Sequence, residues 1–167
     1  MNLMHSMSVP IFVKTLGNLS AILDKAAAHA EAKKIDPAVL LASRLYPDMF
    51  PLTKQVQVAC DFAKGTVARL AGQEPQKYDD NETTIEALKA RIAKTVDYVQ
   101  GFQAAQFAGA EERDVQMKIR DQTLTFKGLS YLAHMALPNF FFHTTTAYDI
   151  LRHNGVELGK RDFIGAI

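Results

Sequence analysis

At 167 residues the chain is long enough to bury a core without disulfides or metal staples. Its 48% hydrophobic and 22% charged residues suit an ordinary globular domain, and 19 basic against 18 acidic residues leave a net charge of +1. That balance argues against a nucleic acid or an anionic membrane held by bulk charge, and the single cysteine excludes an internal disulfide.

The opening Met-Asn-Leu-Met-His-Ser-Met lacks the basic and apolar regions of a signal peptide, and there is no unbroken run of about 18 apolar residues. The expectation is a cytoplasmic protein without a membrane partner, folded as one domain over 1–167, with residues 1–6 a disordered tail. The first long helix runs from about Val9 to Lys34, with Phe12, Leu16, Leu19, Ile22, Leu23 and Ala26 at helical spacing. Asp36 caps a short helix, Ala38 to Leu45, opened by Pro37 and ended at Tyr46-Pro47. The second long helix, about Pro51 to Ala71, buries Val56, Cys60, Ala63, Val67 and Leu70 on one stripe. A polar loop, Gln76 to Glu82, leads to a third, capped by Thr83 or Thr84 and running to about Phe107 on Ile85, Leu88, Ile92, Val96, Val99 and Phe102.

Between Gly109 and Gly128 the period changes to two. Val115, Met117 and Ile119, then Leu124 and Phe126, flank Arg120-Asp121-Gln122, which is a hairpin signal. The last helix spans about Leu129 to His153, kinked at Pro138 and stopped by Asn154-Gly155; the tail from Val156 to Ile167 is expected to cross the bundle in extended form. The fold class is therefore all-α: a four-helix bundle with a short extra helix and a small β-hairpin before the last helix.

Few residues offer chemistry. On the last helix Tyr131, Met135, Asn139 and His143 lie along one stripe, an apolar line interrupted by a phenol, an amide and an imidazole. Such a line either faces a polar pocket or forms a hydrogen-bonded core cluster. On the second long helix Gln57 and Asp61 form another i, i+4 polar pair, which meets Asn139 and His143 if it turns inward and lies at the solvent boundary if it does not. Thr144, Thr145 and Thr146 are expected to bond back to the preceding turn. Phe140, Phe141 and Phe142 cannot all face one way, so one is expected at the surface or in a contact with a second subunit. Cys60 reads as a small buried hydrophobe. Nucleotide-binding glycine motifs, H-E-x-x-H and G-x-S-x-G are absent.

The ending Leu137-Pro-Asn-Phe-Phe-Phe-His143, Thr-Thr-Ala-Tyr148, Ile-Leu-Arg152, Asn-Gly155 and Gly-Lys-Arg-Asp-Phe163 resembles an uncharacterised bacterial family of the DinB/YfiT-like metalloenzyme superfamily. Val9-Pro10 and the stretch from Gln57 to Gly72 resemble it too. The resemblance implies a helical bundle, a homodimer and a divalent metal held by three histidines, one from the second long helix and two from the last. His143 matches the second of those two; Asn139 stands in place of the first; on the second long helix Gln57, Cys60 or Asp61 stands nearest to the third. Members with all three histidines include thiol-dependent transferases.

Three functions follow as expectations. One is a non-catalytic bundle that binds a small ligand or regulates, its pocket lined by His143, Asn139, Tyr131, Gln57 and Asp61, with no cofactor. The second is a metal-dependent thiol transferase or hydrolase, with zinc or nickel held through His143. The third is a structural homodimer whose polar cluster only fixes helix register.

Overall fold

The structure, a computed structural model, describes residues 2–119 and 121–166, the Ile119 side chain aside. In chain order they form α1 (Leu3–Ser6), α2 (Val9–Lys33), α3 (Pro37–Ala42), α4 (Leu52–Leu70), α5 (Ile85–Gln100), a 3-10 turn (Ala104–Phe107), strands β1 (Asp114–Ile119) and β2 (Gln122–Lys127), α6 (Gly128–Tyr131), a π turn (Leu132–Ala136), α7 (Leu137–His153) and α8 (Lys160–Ile164). The four long helices close into a ring. Helix α4 packs on α5 and α7, and α2 packs on the same two, which sets α2 and α4 across the diagonal. This is the expected all-α bundle with its small hairpin.

Local signals place the helix ends. Asp36 Oδ1 accepts from the Ala38 amide at 2.9 Å, and Pro37 fills the first position of α3, where no amide is needed. Thr84 Oγ1 accepts from the Ala87 amide at 3.1 Å at the head of α5. Inside the ring α2 contributes Phe12, Leu16, Leu19, Ile22, Leu23, Ala26 and Ala30, all buried, and Phe12 meets Phe140 of α7 edge-on at 4.8 Å. By length and composition Leu3–Lys33 is apolar enough to cross a membrane, which a search for one unbroken apolar run passes over; in the fold its apolar stripe is core.

Three expectations need correcting. Residues 1–6 do not read as a disordered tail among the described positions: α1 packs on the bundle, Met4 is fully buried, Asn2 Nδ2 donates to the Phe107 carbonyl at 3.1 Å and His5 Nε2 lies 3.2 Å from the Phe102 carbonyl. Four residues are too few for a periodic signal. The C-terminal tail is not wholly extended; Asp162 Oδ2 accepts from the Gly159 amide at 2.8 Å and opens α8, which Asn18 Nδ2 ties to α2 through the Phe163 carbonyl at 2.9 Å. The third long helix ends at Gln100, and Phe107 is reached through the separate 3-10 turn. The hairpin pairs Asp114 with Lys127 through to Ile119 with Gln122, and among its described side chains Val115 is the buried one. The turn residue Arg120 lies outside the described residues.

Pro138 has no amide to offer the carbonyl one turn back. The chain absorbs this ahead of the proline, in the wide π turn Leu132–Ala136, which holds one residue more per turn than an α-helix. The helix therefore changes phase just before the proline.

Two glycines make opposite predictions. Gly17 lies exposed on α2 with nothing near its missing side chain, so Gly17→Ala should raise stability by about 0.5–1 kcal/mol. At buried Gly128 a methyl group would overlap the Ala110 carbonyl oxygen, and Gly128→Ala should cost about 3 kcal/mol. Urea denaturation of the two variants checks both.

Candidate functional site

The imidazole of His143 is buried between α7 and α4. Its Nδ1 lies 2.7 Å from Oε1 of Gln55, near the start of α4, and Gln55 Nε2 donates to the Phe50 carbonyl at 3.0 Å. The second contact orients the amide, so Oε1 must accept and His143 Nδ1 must carry the proton. Burial holds the imidazole pKa below its ordinary 6.5, so near neutral pH the ring is uncharged and Nε2 keeps its lone pair. Nε2 has no hydrogen-bond partner among the described residues.

Aromatic rings surround this imidazole. Phe62 and Phe50 lie nearly parallel to it, with centroids at 6.0 and 6.5 Å, and Phe142 meets it edge-on at 5.2 Å. Phe62 is half-buried on α4, one face with Gln55 at i, i+7. Phe50 and Phe142 are 50% and 55% exposed, so the rings over His143 face solvent. Of the aromatic run on α7, Phe140 alone turns into the core, as the spacing requires. Thr144 Oγ1 bonds back to the Phe140 carbonyl at 3.0 Å and Thr146 Oγ1 to the Phe142 carbonyl at 2.7 Å.

The other expected site residues take partners elsewhere. Asn139 Nδ2 donates to the Met135 carbonyl of the π turn at 2.7 Å, which ties the amide to its own helix. Tyr131 is fully buried, and its hydroxyl reaches Thr66 Oγ1 at 3.4 Å and Arg69 Nη1 at 3.3 Å, both well along α4 from Gln55. A stripe counted through Tyr131, Met135, Asn139 and His143 assumes an unbroken α-helix, and the π turn breaks that count.

Gln57 and Asp61 face α5 rather than α7. Two residues along a helix turn the side chain by about 200°, so Gln57 points away from the face that carries Gln55. Gln57 Nε2 donates to Glu82 Oε2 at 2.8 Å, and Asp61 pairs with Arg91 of α5 at 3.0 Å and with Lys64 at 2.9 Å. Gln55 is the residue sequence reasoning missed. Its signal was available: Gln55 and Phe62 share a face, and a polar residue on an α-helix facing a histidine-bearing helix must find a partner there.

Arg91 organises this second cluster. Its side chain is 2% exposed, and it pairs with Asp61 and Asp80 at 3.0 Å and Glu82 at 3.1 Å while donating to the Asp79 carbonyl at 3.0 Å. The guanidinium thus straps the polar loop before α5 onto the α4–α5 seam. Tyr78 of that loop packs against Lys94, Lys64 and Arg91, whose charges lie 4.1, 4.8 and 5.3 Å from the ring centroid. Beneath the strap Cys60 is fully buried, and desolvation pushes its thiol pKa up to about 12. It is a protonated core residue, as expected from its place on the apolar stripe.

The donors around His143 do not fit a divalent metal. They are one neutral imidazole, one amide already committed to a carbonyl, and aromatic rings, with no thiolate or carboxylate paired to them. Among the described residues no three His, Cys, Asp or Glu side chains converge on a metal-sized point. The carboxylates of Asp61, Asp80 and Glu82 do converge, but on a guanidinium, and Lys64 on Asp61 and Lys54 on Asp80 complete the charge balance.

Two outcomes follow. Arg91→Leu would leave Glu82 without a charge partner and Asp61 and Asp80 with one lysine each, and would loosen the loop, at a cost of about 3 kcal/mol in urea denaturation, with earlier tryptic cleavage between 76 and 84. The second concerns pH. Because the folded pKa of His143 lies below 6.5, the unfolded chain takes up the proton first, so its contribution falls as pH drops from about 6.5 through the folded value. Asp80, whose pKa the Lys54 hydrogen bond lowers, loses its contribution only below about 3.8. Denaturation at pH 7.5 and 5.5 should show a decline in the wild type that His143→Phe flattens.

The family model described as a domain of unknown function, DUF1993, matches residues 4–164. Among solved structures the chain is similar to the crystal structure of a DinB family member from Shewanella denitrificans, at 49% identity and a TM-score of 0.89, over 98% of this chain and 92% of that one. No curated protein matches it. Matched along nearly its whole length in both sequence and fold, the chain belongs to the DUF1993 family of DinB-like helical bundles.

Proposed function

We propose that this protein is a non-catalytic, small-ligand-binding DinB-like bundle whose metal position has been reduced to a single imidazole. The observation that carries the reading is the state of His143. Its Nδ1 is committed to Gln55, its ring is uncharged, and Nε2 is left as a lone-pair acceptor under two solvent-facing phenylalanines. A ligand suited to that setting is a small, flat molecule with one hydrogen-bond donor, the donor meeting Nε2 and the flat body lying against Phe50 or Phe142. A polar group kept where a dry core would take leucine supports a binding role over a purely structural one.

The reading differs from a metal-dependent transferase in its donor set, and from a homodimer scaffold in what His143 does. Elemental analysis after incubation with zinc, nickel and manganese, followed by dialysis, should find well under one metal per chain. Titration with phenol should then move the His143 Nε2 resonance and raise the melting temperature, and the rise should vanish in His143→Phe. About one metal per chain, lost in His143→Ala, would overturn the proposal in favour of the transferase. Neither metal nor phenol response would leave the structural homodimer, to be tested by sedimentation.

A further inference from the structure

We infer that the cleft between the hairpin and the far end of α4 is a second binding site, for the phosphate group of a small organic phosphate. It lies fourteen residues along α4 from Gln55, about 21 Å at the helical rise, and shares no residue with the His143 site. The cavity holds about 460 Å³. Arg69 of α4, Arg113 just before β1 and Lys118 of β1 line it, and none of the three forms an ion pair among the described residues.

The two guanidinium groups are held in place by the fold. Arg69 Nη1 lies 3.3 Å from the Tyr131 hydroxyl, which Thr66 also contacts, and it rests in the space left by the missing side chain of Gly65. Arg113 Nη1 donates to the Leu70 carbonyl at the end of α4, and Nη2 donates to the Ala108 carbonyl at 3.2 Å. These carbonyl bonds fix the position of the Arg113 charge without neutralising it. The N–H groups that these bonds leave over on Arg69 and Arg113, together with the Lys118 ammonium, are donors enough for the three oxygens of a phosphate monoester.

The acidic residues on the same wall do not cancel this charge. Asp114 is bridged to Lys127 across the hairpin at 2.7 Å, which leaves Glu74 as the one carboxylate against three cations. Beside the polar side chains of Gln73 and Gln116, Pro75 and Met117 give the wall an apolar portion for the organic body. The cavity is larger than a lone phosphate requires.

Titration calorimetry with inorganic phosphate and with phenyl phosphate, at ionic strength balanced by sodium chloride, tests the assignment. Phenyl phosphate should bind at least tenfold more tightly than phosphate. Arg69→Gln and Lys118→Gln should each weaken it at least fivefold, and Lys14→Gln, a charge removed from the exposed side of α2, should not. Gly65→Ala, which displaces Arg69 without altering charge, should weaken it too. Absence of saturable binding, or affinities unmoved in both Arg69→Gln and Lys118→Gln, overturns the site; equal affinity for the two probes overturns the apolar wall as part of it.

Discussion

Thirteen of the nineteen residues of α4 are shut off from water, because α5 flanks the helix on one side and α7 on the other. A helix so enclosed has almost no solvent face on which to leave polar groups, yet its sequence carries Gln55, Gln57, Lys64 and Thr66 at buried positions. Each must be satisfied by a neighbour or cost the desolvation of an unpaired group. The polar architecture of the bundle follows from those obligations. Gln55 draws His143 and the Phe50 carbonyl, Gln57 draws Glu82, Lys64 draws Asp61, and Thr66 draws the Tyr131 hydroxyl. The seam with α7 is amide, imidazole and aromatic; the seam with α5 is ionic.

The two seams differ in what they do for the fold. Arg91 reaches charges that are far apart in sequence, from α4 and from the loop before α5, so it closes a polar segment that has no apolar residues of its own to bury. Without it the loop would be held by Tyr78 among its lysines, by Gln57 on Glu82 and by Lys54 on Asp80. Its partners Asp61 and Asp80 are each more than a third exposed, so water tempers the ionic gain there. The His143 seam carries no net charge, and its strength lies in stacked rings and one oriented amide.

Much of the architecture was legible because apolar periodicity reports burial: the buried stripe of α2 is the one the spacing marks out, whereas α5 buries Arg91 and Thr95 beside its marked residues and the hairpin leaves Leu124 exposed. The candidate site was less legible for a geometric reason. Periodicity identifies one buried stripe, but α4 is buried on two faces, and nothing in the spacing says which face Gln57 and Asp61 turn to. Gln55, near the start of the helix, has no i, i+4 polar partner to mark it, whereas Gln57 two residues on has one in Asp61. Arg91 sat within a helix read only for its apolar residues. Its significance depends on Asp61, Asp80 and Glu82 arriving from elsewhere, which is tertiary information.

The π turn Leu132–Ala136 has a bearing on how this chain is compared with others of similar fold. An extra residue held in one helical turn is, in effect, an insertion that leaves the helix continuous while resetting its phase. Positions from Leu137 onward can be matched to another bundle by counting from His143, but the count cannot be carried back through Ala136. A bundle without the extra residue would set a different side chain where Tyr131 stands. Correspondences on the two sides of the turn therefore have to be drawn separately, and a residue that looks substituted on one side can simply be out of step.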